Sequence, residues 1–253
     1  MSLKRYKIVS ILVFSFLLKT EINAQKFQYI PTQRIDLFTQ IGDVKRSKVD
    51  TINSFEISDF ITYREYKRYL NSVKVDSSNL FYNSQFPDSS IAIDKSVYKE
   101  YVTDKIYDKY PVLGISWENA MNYCKWKTLK DNKKGSIKFI YLLPHHSEWI
   151  AALLYFKKEG ITNDLDDKYS DWLLNNYDES YNFDWAMDFD YVYFHKETDP
   201  MVLKRKSVVG NSYLYYILNR RYGYSTIGYR QTSFRLVKTK VNQFVLNYWG
   251  IEE

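Results

Sequence analysis

One cysteine, Cys124, and three histidines, His145, His146 and His195, are all that 253 residues offer in thiol and imidazole metal ligands. A lone cysteine excludes an internal disulfide, so stability must come from packing, and the thiol is either free or joined to another molecule. A three-histidine metal site would need His195 to converge with two adjacent residues that point in different directions. His145 and His146 therefore read as solvated or capping imidazoles, and no transition metal is assigned. The chain also lacks any block of one charge. Lys and Arg alternate with Asp and Glu along most of its length, which excludes the phosphate-tracking stripe of a nucleic-acid binder. Beyond the first residues no apolar run is long enough to cross a bilayer, and no internal repeat is visible.

What is present begins with "MSLKRYKIVSILVFSFLLKTEINAQ": basic Lys4, Arg5 and Lys7, the apolar run Ile8 to Leu18, and a short polar segment ending at Ala24. This is the three-part pattern of a secretory signal peptide, with cleavage expected after Ala24; the same pattern fits an uncleaved signal anchor. No cysteine follows the run, so lipidation there is excluded. The expected location is exported, in a bacterial periplasm or associated with the outer membrane or cell exterior. Lys4, Arg5, Lys7 and Lys19 against Glu21 carry three of the +6 net charges, leaving +3 for the remainder. The expected division is a signal at 1–24, an N-terminal extension at 25–53, one large domain at 54–240 and a tail at 241–253.

Within that domain the periodicity is clearest in three places. "ISDFITYREYKRYLNSV" has Thr62 and Glu65 at capping-box spacing, with Tyr63, Tyr66, Leu70 and Val73 on one face, and a strand at Phe55 to Ile57 leads into it. "YPVLGISWENAMNYCKWKT" has Ser116 as N-cap and Trp117, Ala120, Met121, Cys124 and Thr128 on one face, so Cys124 points inward. "IKFIYLLP" reads as a strand and "HHSEWIAALLYFKKEG" as a helix with Trp149, Ala152, Leu153 and Phe156 buried and Gly160 ending it. Residues 26–53 are polar and irregular, 76–109 read as a surface insertion, and 161–206 show no clear period. Short strands are expected at "SVVGNSY" and "SFRLVK". The class is α+β with much loop.

These motifs resemble the formylglycine-generating enzyme (sulfatase-modifying factor) family. Pro111, Ser116, Trp117, Ala120, Tyr123, Cys124 and Trp126 match its proline, Ser-Trp, alanine and aromatic-Cys-x-Trp run. "LLPHHSEWI" keeps Leu143, Pro144, Glu148 and Trp149 of a second motif but has Leu142, His145 and Ile150 where arginine, threonine and glutamate usually stand. Asp171, Trp172 and Asp178, then "GNSY" at Gly210 to Tyr213 and "SFR" at Ser233 to Arg235, follow in the family's order. The resemblance implies a variant of the C-type lectin fold. Two of the stretches look most like the gliding-motility and type IX secretion lipoproteins of Bacteroidetes, although the lipid-bearing cysteine is missing.

The resemblance also implies where chemistry would reside. In active relatives two cysteines after the Gly-Gly-Ser motif bind copper(I) as thiolates, and the corresponding positions here hold Tyr215 and Arg220, so no catalytic residue is expected. No cofactor is expected either. A structural calcium ion in the carboxylate-rich stretch Asn163 to Asp171 stays open, against a solvated acidic loop. Trp117, Trp126, Trp149 and Trp172 read as core packing. The candidate binding residues are Tyr213, Tyr215, Tyr216, Arg220, Arg221, Tyr229 and Arg230, in the segment that lines the family's cleft. Tyr and Arg together favour recognition surfaces, and polar-tipped packing explains them as well. The expected partner is a cell-envelope protein, with a glycan, as for a lectin-like module, or an enzyme of non-thiol chemistry as alternatives.

Overall fold

The structure is a computed structural model in which residues 26–41, 44–132, 136–161, 169–176, 205–210 and 221–251 are described. The first half runs β1 (Phe27–Ile30), β2 (Gln33–Ile41), β3 (Val44–Ile52), β4 (Phe55–Ser58), α1 (Tyr63–Asp76), α2 (Asn79–Ser84), α3 (Lys95–Thr103) and α4 (Trp117–Asp131). The second half runs β5 (Phe139–Leu142), α5 (His146–Glu159), β6 (Ser170–Asn176), β7 (Arg205–Gly210), β8 (Arg221–Tyr224), β9 (Thr232–Ser233), β10 (Val237–Lys240) and α6 (Gln243–Tyr248).

An antiparallel sheet in the order β1-β4-β10-β5 ties the beginning of the described chain to its end. Val237 of β10 sits opposite Ile57 on one side and Leu142 on the other. A second sheet, β8-β7-β6-β9, is antiparallel except where β6 meets β9, which sets Asp171 beside Ser233. β2 and β3 pair as a separate hairpin.

Two segments differ from the expectation of an irregular extension and a tail. Residues 26–53 form β1, β2 and β3, with Ile30, Ile35 and Ile52 buried. Beyond Lys240, α6 buries Val245, Leu246 and Trp249 in the same core as α1 and α4. Both escape pattern reading for one reason: each is short or one-sided, and two or three buried residues do not make a period.

The three helices anticipated from periodicity form through the expected caps. Thr62 N–H donates to Glu65 Oε2 at 2.9 Å while Glu65 N–H donates to Thr62 Oγ1 at 3.3 Å, closing the box that starts α1. Ser116 Oγ accepts from Asn119 N–H at 3.1 Å to start α4. α5 starts on His145, so this imidazole does cap, and stops at Gly160, whose φ of 64° lies in the left-handed region.

α5 packs Trp149, Leu153 and Phe156 against Ile30, Ile57 and Val237 in one core cluster. The other cluster is aromatic. Tyr66, Tyr69, Tyr123 and Phe234 lie ring to ring with centroids 5.3 to 6.2 Å apart. A buried tyrosine needs a partner for its hydroxyl, since an orphan would cost about 1–3 kcal/mol. Gln85, itself buried, supplies two: its carbonyl accepts from Tyr66 at 2.8 Å and its Oε1 from Tyr69 at 2.7 Å. The insertion is thereby fastened into the core at Gln85, and its remainder is short helical turns.

One cap carries a pH dependence. Glu148 Oε2 accepts from His145 N–H at 2.7 Å, yet burial outweighs that bond and pushes its carboxyl up to about 7. The folded state then holds the proton more tightly than the unfolded chain does. This component of stability is complete below the ordinary carboxyl value and is lost as pH climbs through about 7. Glu148→Gln keeps an acceptor for His145 N–H. Urea titrations from acid to neutral pH should show stability falling less steeply in the variant than in the parent; parallel curves would contradict the assignment.

Candidate functional site

The expected binding segment is described at its C-terminal end, while Tyr213, Tyr215, Tyr216 and Arg220 lie outside the described residues. Arg221 stands in β8 opposite Val208. Tyr229 is committed to holding a turn together. Its hydroxyl accepts from Tyr224 N–H at 2.9 Å, its ring packs 5.7 Å from Trp172, and its carbonyl accepts from Gly114 N–H at 3.2 Å. Arg230, next to it, is exposed.

That turn forms one wall of a cleft of about 460 Å³. Thr226 and Gly228 face it from the turn, Ser116, Glu118, Asn119 and Asn122 from the start of α4, and Phe81, Ser84, Gln85, Phe86 and Asp88 from the insertion. Three contacts hold the walls together. Asp88 N–H donates to Gly114 O at 2.8 Å, Glu118 N–H donates to Ser225 O at 3.1 Å, and Ser225 Oγ donates to Glu118 Oε1 at 3.0 Å. Gly228 fits against Gly114 only because it has no side chain, since a Cβ there would lie 1.8 Å from the Gly114 oxygen. Asn119 Nδ2 donates to Ser84 O at 2.7 Å and Asn122 Nδ2 to Gln85 Oε1 at 3.2 Å, joining α4 to α2. The segments that meet here lie around residues 85, 117 and 227, so no local motif announced the cleft.

Cys124 is fully buried beside Ala120 and Met121, and desolvation drives its thiol far above the ordinary range. A thiolate is needed for nucleophilic or metal chemistry, so this residue packs and does not react. The tryptophans expected in the core are there: Trp117, Trp149 and Trp172 are almost completely buried, and their indole N–H groups donate to Leu173 O, Asp171 Oδ2 and Ile115 O at 2.8 to 3.0 Å. Trp126 packs against the same core half-buried.

Asp171, at the end of the carboxylate-rich stretch, does not belong to a solvated loop. It is fully buried in β6, where Oδ2 accepts from Arg235 Nε at 3.0 Å, and the Arg235 guanidinium lies 3.7 Å from the Phe60 ring centre. Burial pushes this carboxyl up while Arg235 and the Trp149 N–H pull it down. Residues 162–168, the rest of that stretch, and His195 lie outside the described residues. Among the described residues no three His, Cys, Asp or Glu side chains come together, and no helix is long and apolar enough to cross a membrane.

Comparison with known proteins places this architecture. Residues 38–212 match the sulfatase-modifying factor enzyme 1-like domain. Three solved structures share the fold. The crystal structure of CarF is 13% identical, with 87% of this chain and 100% of that chain covered at a TM-score of 0.56. PvdO from Pseudomonas aeruginosa is 13% identical over 86% and 95% at 0.54, and Treponema denticola variable protein 1 is 11% identical over 85% and 95% at 0.51. No curated protein matches. The fold is thus α+β of the formylglycine-generating-enzyme type, and the chain belongs to the sulfatase-modifying-factor domain family.

Proposed function

We propose that this chain is an exported, non-catalytic member of its family that acts by binding a protein of the bacterial cell envelope, as a component or accessory of an assembly of the gliding-motility or type IX secretion kind. The observation that carries the reading is chemical. The positions corresponding to the two copper-binding thiolates hold Tyr215 and Arg220, and the chain's one thiol, Cys124, is sealed in the core. Neither a phenol nor a guanidinium replaces a thiolate for copper(I), which needs soft sulfur.

What remains in that region is a residue composition suited to recognition. Tyr213, Tyr215 and Tyr216 with Arg220, Arg221 and Arg230 combine large aromatic area with bidentate hydrogen bonding. The described turn at 225–230 lies at the edge of the cleft, with Tyr229 fixing the turn. The assignment to an envelope assembly rests on the resemblance of residues 56–73 and 110–128 to the motility lipoproteins.

The test is to incubate the purified protein with copper(I), oxygen and a cysteine-containing sulfatase peptide. No formylglycine should form, by mass spectrometry of the peptide. Turnover of the peptide would overturn the reading.

A further inference from the structure

We infer that a single water molecule is bound inside the protein between Asp171, Ser233 and Arg235, accepting from Arg235 Nη2 and donating to Asp171 Oδ1 and Ser233 Oγ.

Strand pairing brings these three side chains together. β6 and β9 run parallel, with Asp171 opposite Ser233. Trp172 and Phe234, the next residues along each segment, both pack in the aromatic core, so Asp171 and Ser233 turn away from it on the same side. Arg235 lies two residues beyond Ser233, and its Nε donates to Asp171 Oδ2 at 3.0 Å, which puts it on that side too. Asp171 and Ser233 are fully buried and Arg235 almost so. Yet Asp171 Oδ1, Ser233 Oγ and Arg235 Nη2 each lack a hydrogen-bond partner among the described residues. Buried polar atoms are nearly always paired, and here three neighbouring ones are not.

The ion pair shows where their common partner belongs. A guanidinium that meets a carboxylate side-on makes two parallel N–H bonds, from Nε and Nη2. Here Nε reaches Oδ2 while Nη2 and Oδ1 stay unbonded, so one arm of the fork is open. The group that closes it must accept from Nη2 and donate to Oδ1. A metal ion or an ammonium would be repelled by Arg235, and an anion by Asp171. A neutral molecule with two donors and two acceptors answers both, and buried waters occupy sites with two to four such partners. The Ser233 hydroxyl takes the water's second hydrogen. The water thereby joins the two-residue strand β9 to β6 through side chains, in addition to their backbone pairing.

A crystal structure of the full chain at a resolution that shows ordered waters tests this directly. One oxygen should lie about 3 Å from each of the three atoms. A direct bond from Nη2 to Oδ1, or no density between them, would overturn the inference. Two variants extend the test to solution. Ser233→Ala deletes a hydroxyl that the water satisfies, so the melting temperature should fall by about 2–4 °C. An orphaned hydroxyl would be lost without harm, and an unchanged or raised melting temperature would contradict the site. Ser233→Val places an extra methyl group where the water sits. Oxygen-17 relaxation dispersion, which counts waters held inside a protein for longer than it tumbles, should report one fewer in that variant than in the parent. Equal counts would likewise contradict the inference.

Discussion

Replacing Arg235 by methionine should cost about 3–5 kcal/mol of folding stability at neutral pH, because it strands the Asp171 carboxylate in the core. Asp171 is fully buried and Arg235 is 2% exposed, so water cannot take over the lost charge. Among the described residues Oδ2 would keep only the Trp149 N–H, and Oδ1 already has no hydrogen-bond partner. The loss should shrink in acid. Without Arg235 the folded-state value of the carboxyl rises further above the unfolded one, so the variant is most stable below the unfolded value and loses stability as pH rises through the folded one. The double variant Asp171→Asn/Arg235→Met keeps an acceptor for Trp149 and removes both charges, and it should recover much of the loss. Urea denaturation at pH 5 and 7 measures all of this. A loss under about 1 kcal/mol for Arg235→Met would show that the buried pair does not stabilise the fold as described.

Gly228→Ala is the second large effect, and it acts by steric exclusion. The new Cβ would lie 1.8 Å from Gly114 O, 2.4 Å from Gly114 C and 3.0 Å from Asp88 Cβ. The first two are backbone atoms. They are fixed by the Asp88 N–H bond to Gly114 O, by the Gly114 N–H bond to Tyr229 O, and by a φ of 76° at Gly114 that other residues rarely adopt. The turn must back away from the loop, which breaks these bonds together. The expected loss is about 3 kcal/mol, at the upper end of overpacking effects. Gly160→Ala is the control. Gly160 has a φ of 64° and open space where a Cβ would stand, with nothing within 4 Å, so the variant should lose only the left-handed backbone cost of about 1 kcal/mol. Thermal melts of both variants distinguish steric exclusion from backbone preference, and equal losses would remove the close approach from the account.

The helices α1, α4 and α5 were legible because each combines a local cap with an apolar period: Thr62 and Glu65, Ser116, and His145 with Gly160 each mark an end that the next residues confirm, whereas α2, α3 and α6 are too short or too exposed to show one. Gln85 was not legible. It looks like one more polar residue in an aperiodic stretch, yet it satisfies two tyrosine hydroxyls from residues 16 and 19 positions earlier. The Asp171–Arg235 pair spans 64 positions, and only the motif order hinted that both residues matter. β1 to β3 were missed because Ile30, Ile35 and Ile52, the isoleucines buried among the described side chains there, lie too far apart to show an alternation. The cleft depends on turns from three separate regions meeting, which charge pattern and periodicity do not encode. The aromatic and basic composition of the segment from Tyr213 to Arg230 was visible from the start, and the described turn puts its end beside that cleft.

The claim that this chain works by binding is tested most directly by crosslinking in cells of the producing bacterium, with quantitative mass spectrometry of what is captured. The parent is compared with the double variant Tyr215→Ala/Arg220→Ala at matched abundance and melting temperature. The parent should capture a defined set of envelope proteins, and the double variant should lose most of that set, since truncating two anchors at about 2 kcal/mol each lowers affinity by more than about a hundredfold. Capture of the same set at the same levels by both proteins would contradict the account.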